Sequence, residues 1–303
     1  MTVPRRYAGY TIFVALAAEF LLLSATTDTF LSTANLSNVL RQNAFTAILA
    51  AGMTFVILTG GIDVSVGSVV GLSGVVCADL LARHAGPFVS IGAAVALGLC
   101  VGLLNGAFVT ILRIPAFIVT LAMMLIARGA AFKYTDAHTI TGLPAWFSGL
   151  SSTASSAAIT SVVFVASATV LARTAFGRHV YAVGGNRDAA WLSGIRVTRL
   201  QLVVYAISGL GAGLAGVLVA SRLSAGYPRA GEYYELDAIA AVVVGGTSLF
   251  GGKGSIWGAL AGAFFIGIIN NGLNLFQVST YDQLVVKGAV LLAAASFDRW
   301  RNA

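Results

Sequence analysis

The chain alternates long apolar stretches with short polar ones. A helix that crosses a bilayer needs about 20 predominantly apolar residues. Ten stretches approach or reach that length: 8–23, 44–58, 64–81, 89–112, 116–132, 157–171, 202–220, 236–250, 256–276 and 284–297. Several are short or crowded with glycine. The pattern predicts an all-α polytopic membrane protein of about ten transmembrane helices, built as one transmembrane domain over 1–303. Two longer polar interruptions stand out, a loop at 133–152 and a basic segment at about 173–200.

Basic residues orient the layout, because Lys and Arg concentrate in cytoplasmic loops. Ten spans with both termini cytoplasmic place Arg5, Arg6, Arg113, Arg173, Arg178, Arg187, Arg196, Arg199, Lys253, Arg299 and Arg301 inside, 11 of the 18 basic residues. Arg41, Arg83, Arg128, Lys133, Arg222 and Arg229 fall outside, and Lys287 lies within the last span. The densest cluster, Arg173 to Arg199, lands in the cytoplasm. Arg5 and Arg6 before an apolar run imitate a signal peptide, and Leu23-Ser24-Ala25 imitates a cleavage site. The many spans that follow argue for an uncleaved first helix, with Glu19 turned toward a protein neighbour.

Composition agrees with this class: 58% of residues are hydrophobic and 10% charged, against about 25% charged in soluble domains. The net charge of +7 comes from scattered residues, so membrane orientation explains it and no nucleic-acid partner is expected. Cys77 and Cys100 both sit in apolar runs and read as buried thiols rather than a disulfide. His84, His138 and His179 are isolated, so neither a metal site nor a cofactor is expected.

Glycine carries much of the remaining information. GGIDVSVGSVVGLSG (60–74) and GGTSLFGGKGSIWGALAG (245–262) share a grammar of paired glycines, an insert, Gly-Ser and spaced small residues. An inverted repeat would produce this, and so would ordinary glycine usage in membrane helices. GAGLAG (211–216) matches a dinucleotide fingerprint in letters only, since it lies inside a span and not after a strand. Helix packing accounts for it, as for Gly98, Gly102 and Gly106 on one helical face. In 250–255 the lysine precedes glycine where a phosphate loop needs serine or threonine, so the chain has no ATP-binding motif of its own.

Three groups of residues have chemistry to offer. Asp63 lies between glycines 60, 61 and 67 and is flanked by Ser65 and Ser68. A charge at the bilayer centre costs about 2.5–3.5 kcal/mol on insertion scales, and broken backbone at that depth must be covered by protein or face a water-filled cavity. Asp63 therefore either caps the helix that follows or borders a solute pathway. Asn105, Thr120, Asn270, Asn271 and Asn274 are neutral polar groups in or near spans. They suit a pathway for a hydroxylated solute and suit equally the hydrogen bonds that tie membrane helices together. In the basic segment, Asp188 to Ser193 forms a short helix candidate, with Asn186 as its cap and Gly194 as its stop. It reads as a plug for a partner's groove or as a plain surface helix.

Four separated motifs resemble one family. AGMTFVIL followed by GGIDVSVGS (51–58, 60–68), IPAFIVTL with Arg128-Gly129 (114–121), AVGGNRDAAWLSGI (182–195) and LDAIA running into Gly245-Gly246-Thr247 (236–247) together resemble the ribose-type sugar permeases, membrane subunits of bacterial ATP-binding-cassette importers. Val64 stands where the family commonly has leucine, and the polar stretch 139–156 diverges. The resemblance implies a bacterial inner-membrane protein working with an ATP-binding cassette subunit, a periplasmic sugar-binding protein and a second permease subunit. It also implies that Gly185, Asn186, Arg187, Asp188, Ala189, Ala190, Ser193, Gly194 and Ile195 form the ATPase-coupling segment. A permease for a polyol or a furanone-like signal would carry the same motifs. A self-sufficient secondary transporter would need ion-coupling charges, for which only Glu19, Asp63 and Lys287 are candidates. An intramembrane enzyme lacks any clustered nucleophile, base or metal ligands.

Overall fold

A computed structural model describes residues 11–302 of the chain. The described residues form helices α1 (Thr11–Thr26), α2 (Thr33–Leu58), α3 (Val66–Ala82), α4 (Pro87–Thr110), α5 (Ala116–Thr135), α6 (Thr153–Arg173), α7 (Ala175–Gly185), α8 (Arg187–Leu192), α9 (Val197–Leu223), α10 (Tyr234–Val244), α11 (Ile256–Leu275) and α12 (Thr280–Asn302). A 3-10 turn, Ala145–Ser151, precedes α6, and no strand occurs among the described residues. Six helices (α2, α4, α5, α6, α9 and α11) are long and apolar enough to cross a membrane, while α1 and α3 are shorter apolar helices. The start of the first expected span and the terminal Arg5 and Arg6 lie outside the described residues.

Burial sorts the helices into an inner and an outer layer. In α2, 83% of the most apolar window is buried, against 22% in α6. A helix that is apolar all round belongs in a protein interior, and α2 is enclosed from Asn43 through Leu58. α4, α5 and α6 bury one stripe and expose Leu104, Phe108, Leu125, Ile126, Val162 and Val165, as lipid-facing helices do. Cys77 is buried but Cys100 is exposed on α4, so the expectation of two buried thiols fails for Cys100. Its apolar neighbours face outward with it.

Small residues set the closest helix contact. α4 packs on α9 through Gly98, Gly102 and Gly106: a Cβ on Gly98 would lie 2.7 Å from the Gly213 amide nitrogen, and one on Gly106 2.9 Å from the Leu202 Cα. Gly209 and Gly213 answer from α9, so the GAGLAG segment serves helix packing. Gly102→Leu drives a side chain into the α9 backbone at Tyr205 and Ala206. Overpacking costs about 1–3 kcal/mol where side chains can yield, and here they cannot. The expected result is a many-fold loss of monodisperse protein in detergent size-exclusion chromatography.

The expected span 236–250 is helical only up to Val244, the end of the 11-residue α10. At 1.5 Å per residue that is about 16 Å, half a bilayer core. Gly231 (φ +76°) and Tyr233 (φ +68°) interrupt the chain before it, and Gly246 (φ +91°) follows it. The segment 224–233 instead runs down the flank of α3: Gly226 meets Ala78 and Val75, and Gly231 meets Gly67 and Val70. Arg128 of α5 anchors it, its guanidinium donating to the Pro228 carbonyl at 2.7 Å and the Ala230 carbonyl at 2.9 Å. Lys287 of α12 pairs with Asp237 at 2.8 Å and is only partly exposed, so this cation is matched within the protein rather than left over for ion coupling.

Candidate functional site

The site is built around the break between α2 and α3. Gly60, at φ +77°, stops α2, and its amide and those of Thr59 and Gly61 turn back onto Ile57 and Val56 carbonyls. Ser65 begins α3 without capping through its own side chain. Asp63 braces the residue before the helix, not the amides of its first turn: its Oδ1 accepts from the Ser65 amide at 3.1 Å and the Ser65 hydroxyl at 2.6 Å. Oδ2 accepts from the Ser208 hydroxyl of α9 at 2.8 Å. Asn105 of α4 donates to Ser65 Oγ at 2.9 Å and, at 3.5 Å, to Asp63 Oδ1. Thr120 of α5 donates to the Ile62 carbonyl at 3.2 Å. Asp63 is 1% exposed, so a carboxylate with several donors links α3, α4 and α9 at the break.

Four residues singled out in sequence, Asp63, Ser65, Asn105 and Thr120, therefore converge. Ser68 is buried in the first turn of α3 but is not among the groups that bond Asp63. Two members were missed. Ser208 and Tyr205 stand three apart in α9, and that spacing, which puts two polar groups on one helical face, was the available signal. The Tyr205 hydroxyl is buried without a hydrogen-bond partner and lies against Gly61.

The asparagines of α11 do not join this cluster. Asn271 and Asn35 of α2 exchange two side-chain hydrogen bonds, 2.8 and 3.1 Å. Asn274 accepts from Gln283 at 3.0 Å, and Asn270 keeps a buried Oδ1 without a partner. Asn35→Ala and Asn271→Ala are each expected to lower thermal stability slightly. The double variant should lose little more than either, a coupling of about 0.6 kcal/mol, read from melting in detergent.

A cavity of about 760 Å³ connects the break to the basic loop. Thr59, Gly60, Gly61 and Tyr205 form one end, and Arg187, Asp188 and Trp191 of α8 form the other. The ends of α8 are as the sequence suggests. Asn186 Oδ1 accepts from the Ala189 amide at 2.9 Å, and Gly194 (φ +84°) closes the helix. Asn186 through Ala189, together with Ser193 and Gly194, are exposed, whereas Ala190 is buried and turned inward. Trp191 and Leu192, 65% and 77% exposed, are the large apolar groups this helix presents. Among the described residues, no group of three His, Cys, Asp or Glu side chains is placed to hold a metal ion.

A multi-pass helical scaffold, broken at a buried polar cluster and carrying an exposed helix on a basic loop, is the frame of a membrane permease. The chain belongs to the family described as branched-chain amino acid transport system / permease component, which it matches over residues 35–295. It is 45% identical over 295 residues to the ribose import permease protein RbsC of Escherichia coli K12, covering 94% of this chain and 92% of that one. RbsC of Bacillus subtilis strain 168 is 45% identical over 302 residues, covering 96% and 92%. The xylose transport system permease protein XylH of Escherichia coli K12 is 39% identical over 357 residues, covering 95% and 91%. No solved structure matches the chain.

Proposed function

We propose that this chain is the membrane-spanning subunit of a sugar importer of the ATP-binding-cassette type. A separate ATPase subunit drives it, a periplasmic sugar-binding protein delivers the solute, and a second permease subunit completes the pathway in a bacterial inner membrane. The observation that carries this reading is 45% identity with a ribose import permease across 94% of the chain. A sugar is favoured over a polyol or a furanone because the similar permeases bear the names of ribose and xylose. Residues 1–303 act as one permease domain of about ten crossings with both termini cytoplasmic. α10 is the incomplete crossing, and the two glycine breaks mark the halves of an inverted repeat.

In this scheme the loop 173–200 docks the ATPase through α8. Closure of the ATPase displaces α8, which shares a cavity with the break between α2 and α3, and changes how that cavity is exposed. ATP and sugar shift the permease between its two exposures only through different affinities for them. Asp63 holds the break together, while Asn105 and Tyr205, each with a buried polar atom that lacks a partner, are the groups best able to meet sugar hydroxyls. The bonds of Asn271 and Asn274 to other helices favour a tying role for those residues.

Liposomes holding the chain with its ATPase subunit and loaded binding protein are expected to accumulate labelled ribose or xylose only when ATP reaches the ATPase. Uptake that persists without any ATPase subunit would instead identify a self-driven transporter.

A further inference from the structure

The two glycine breaks touch each other and the base of α8 at the same place. The Gly252 amide, in the α10–α11 break, donates to the Leu58 carbonyl, the last residue of α2, at 2.9 Å. Gly184, near the end of α7, sits against both: a Cβ there would overlap the Leu58 oxygen and the Gly252 nitrogen. A Cβ on Gly252 would lie 2.7 Å from the Gly185 amide, and Gly252 itself holds φ +72°. Tyr181 of α7 reinforces the contact by donating to the Gly254 carbonyl at 3.1 Å. Gly185 is followed directly by Asn186, the cap of α8. Leu58 leads into the segment that Asp63 holds, and Gly254 precedes Ser255, the cap of α11.

Three backbones thus meet with no side chain between them to absorb a displacement. Close-packed contacts transmit shifts because they cannot deform continuously. We infer that Gly184 and Gly252 are positioning residues through which movement at α8 reaches both broken helices directly, without passing along the long spans. The inference rests on the proposed coupling role of α8. A crevice of about 520 Å³ borders the junction, with Gly184, Gly185, Gly251, Gly252, Lys253 and Arg299 in its lining. It leaves room for the junction to move as a unit.

The test is the number of ATP molecules hydrolysed per ribose or xylose imported by the reconstituted complex of permease, ATPase and binding protein. Gly184→Ala and Gly252→Ala leave the exposed face of α8 intact, so the ATPase should still co-purify and hydrolyse ATP. Import should fall about tenfold and the ratio rise by the same factor. Gly92→Ala, where a Cβ meets nothing within 4 Å, should keep the wild-type ratio. Tyr181→Phe removes one hydroxyl and should raise the ratio about twofold. If the glycine variants fail to assemble, an unchanged ratio in Tyr181→Phe overturns the inference. Wild-type import that needs no ATPase subunit defeats the functional proposal. Import that needs it, with the wild-type ratio in every assembled variant, defeats this link alone.

Discussion

Asp63→Ala is expected to remove the folded protein from the membrane, lowering monodisperse yield more than tenfold and import with it. The carboxylate accepts from the Ser65 amide, the Ser65 hydroxyl, the Ser208 hydroxyl and the Asn105 amide, all within a site that is essentially closed. Alanine strands those donors, and each buried group left without a partner costs about 1–3 kcal/mol. Two or three such groups reach a large share of the 5–15 kcal/mol that holds a typical fold together. Asp63→Asn keeps one acceptor but sets an amide against neighbours that already donate, so an intermediate yield is expected. Fluorescence-detected size-exclusion chromatography measures assembly, and labelled-sugar uptake measures function. Full assembly of both variants with abolished uptake would place Asp63 in the solute pathway and end its structural role.

Apolar length located the main helices because a span must satisfy its own backbone hydrogen bonds, and a helix is the only single-segment way to do so. Glycine spacing located the α4–α9 contact for a similarly local reason: four-residue spacing puts Gly98, Gly102 and Gly106 on one face. The pair of breaks was visible as two related glycine segments, but their contact was not. A hydrogen bond from Gly252 to Leu58 joins positions almost two hundred residues apart and leaves no mark in either segment alone. Half-length α10 passes for a full span in sequence because 236–250 is mostly apolar, and its limits are set by backbone turns at Gly231, Tyr233 and Gly246. Tyr205 and Ser208 are inconspicuous within the apolar run of α9, since Ser208 takes its role from the Asp63 carboxylate and Tyr205 from its place against Gly61, both distant in sequence. The asparagines of α11 show the reverse. Residue type suggested a pathway, while the partner Asn35, on a distant helix, points to a tie between helices.

Trp191→Ala combined with Leu192→Asp is expected to detach the ATPase subunit while leaving the permease folded. α8 has six residues, too few to be stable as an isolated helix in water. It persists because Asn186 caps one end, Gly194 closes the other, and Ala190 packs inward. Those features leave Trp191 and Leu192 projecting from a basic loop and mostly exposed among the described residues. Tryptophan is enriched among residues whose truncation costs 2 kcal/mol or more at protein interfaces, and 2 kcal/mol corresponds to about 30-fold in affinity. An aspartate in place of an apolar contact adds a desolvation penalty, so at least a 30-fold weaker association is expected, measured by titrating the purified ATPase against the reconstituted permease. Ala190 gives the contrast. A bulky residue there should lower the melting temperature, because it faces the protein and not a partner. ATPase binding and sugar import that both survive loss of Trp191 and Leu192 would leave α8 as an ordinary surface helix, and the docking site would have to lie elsewhere on the protein.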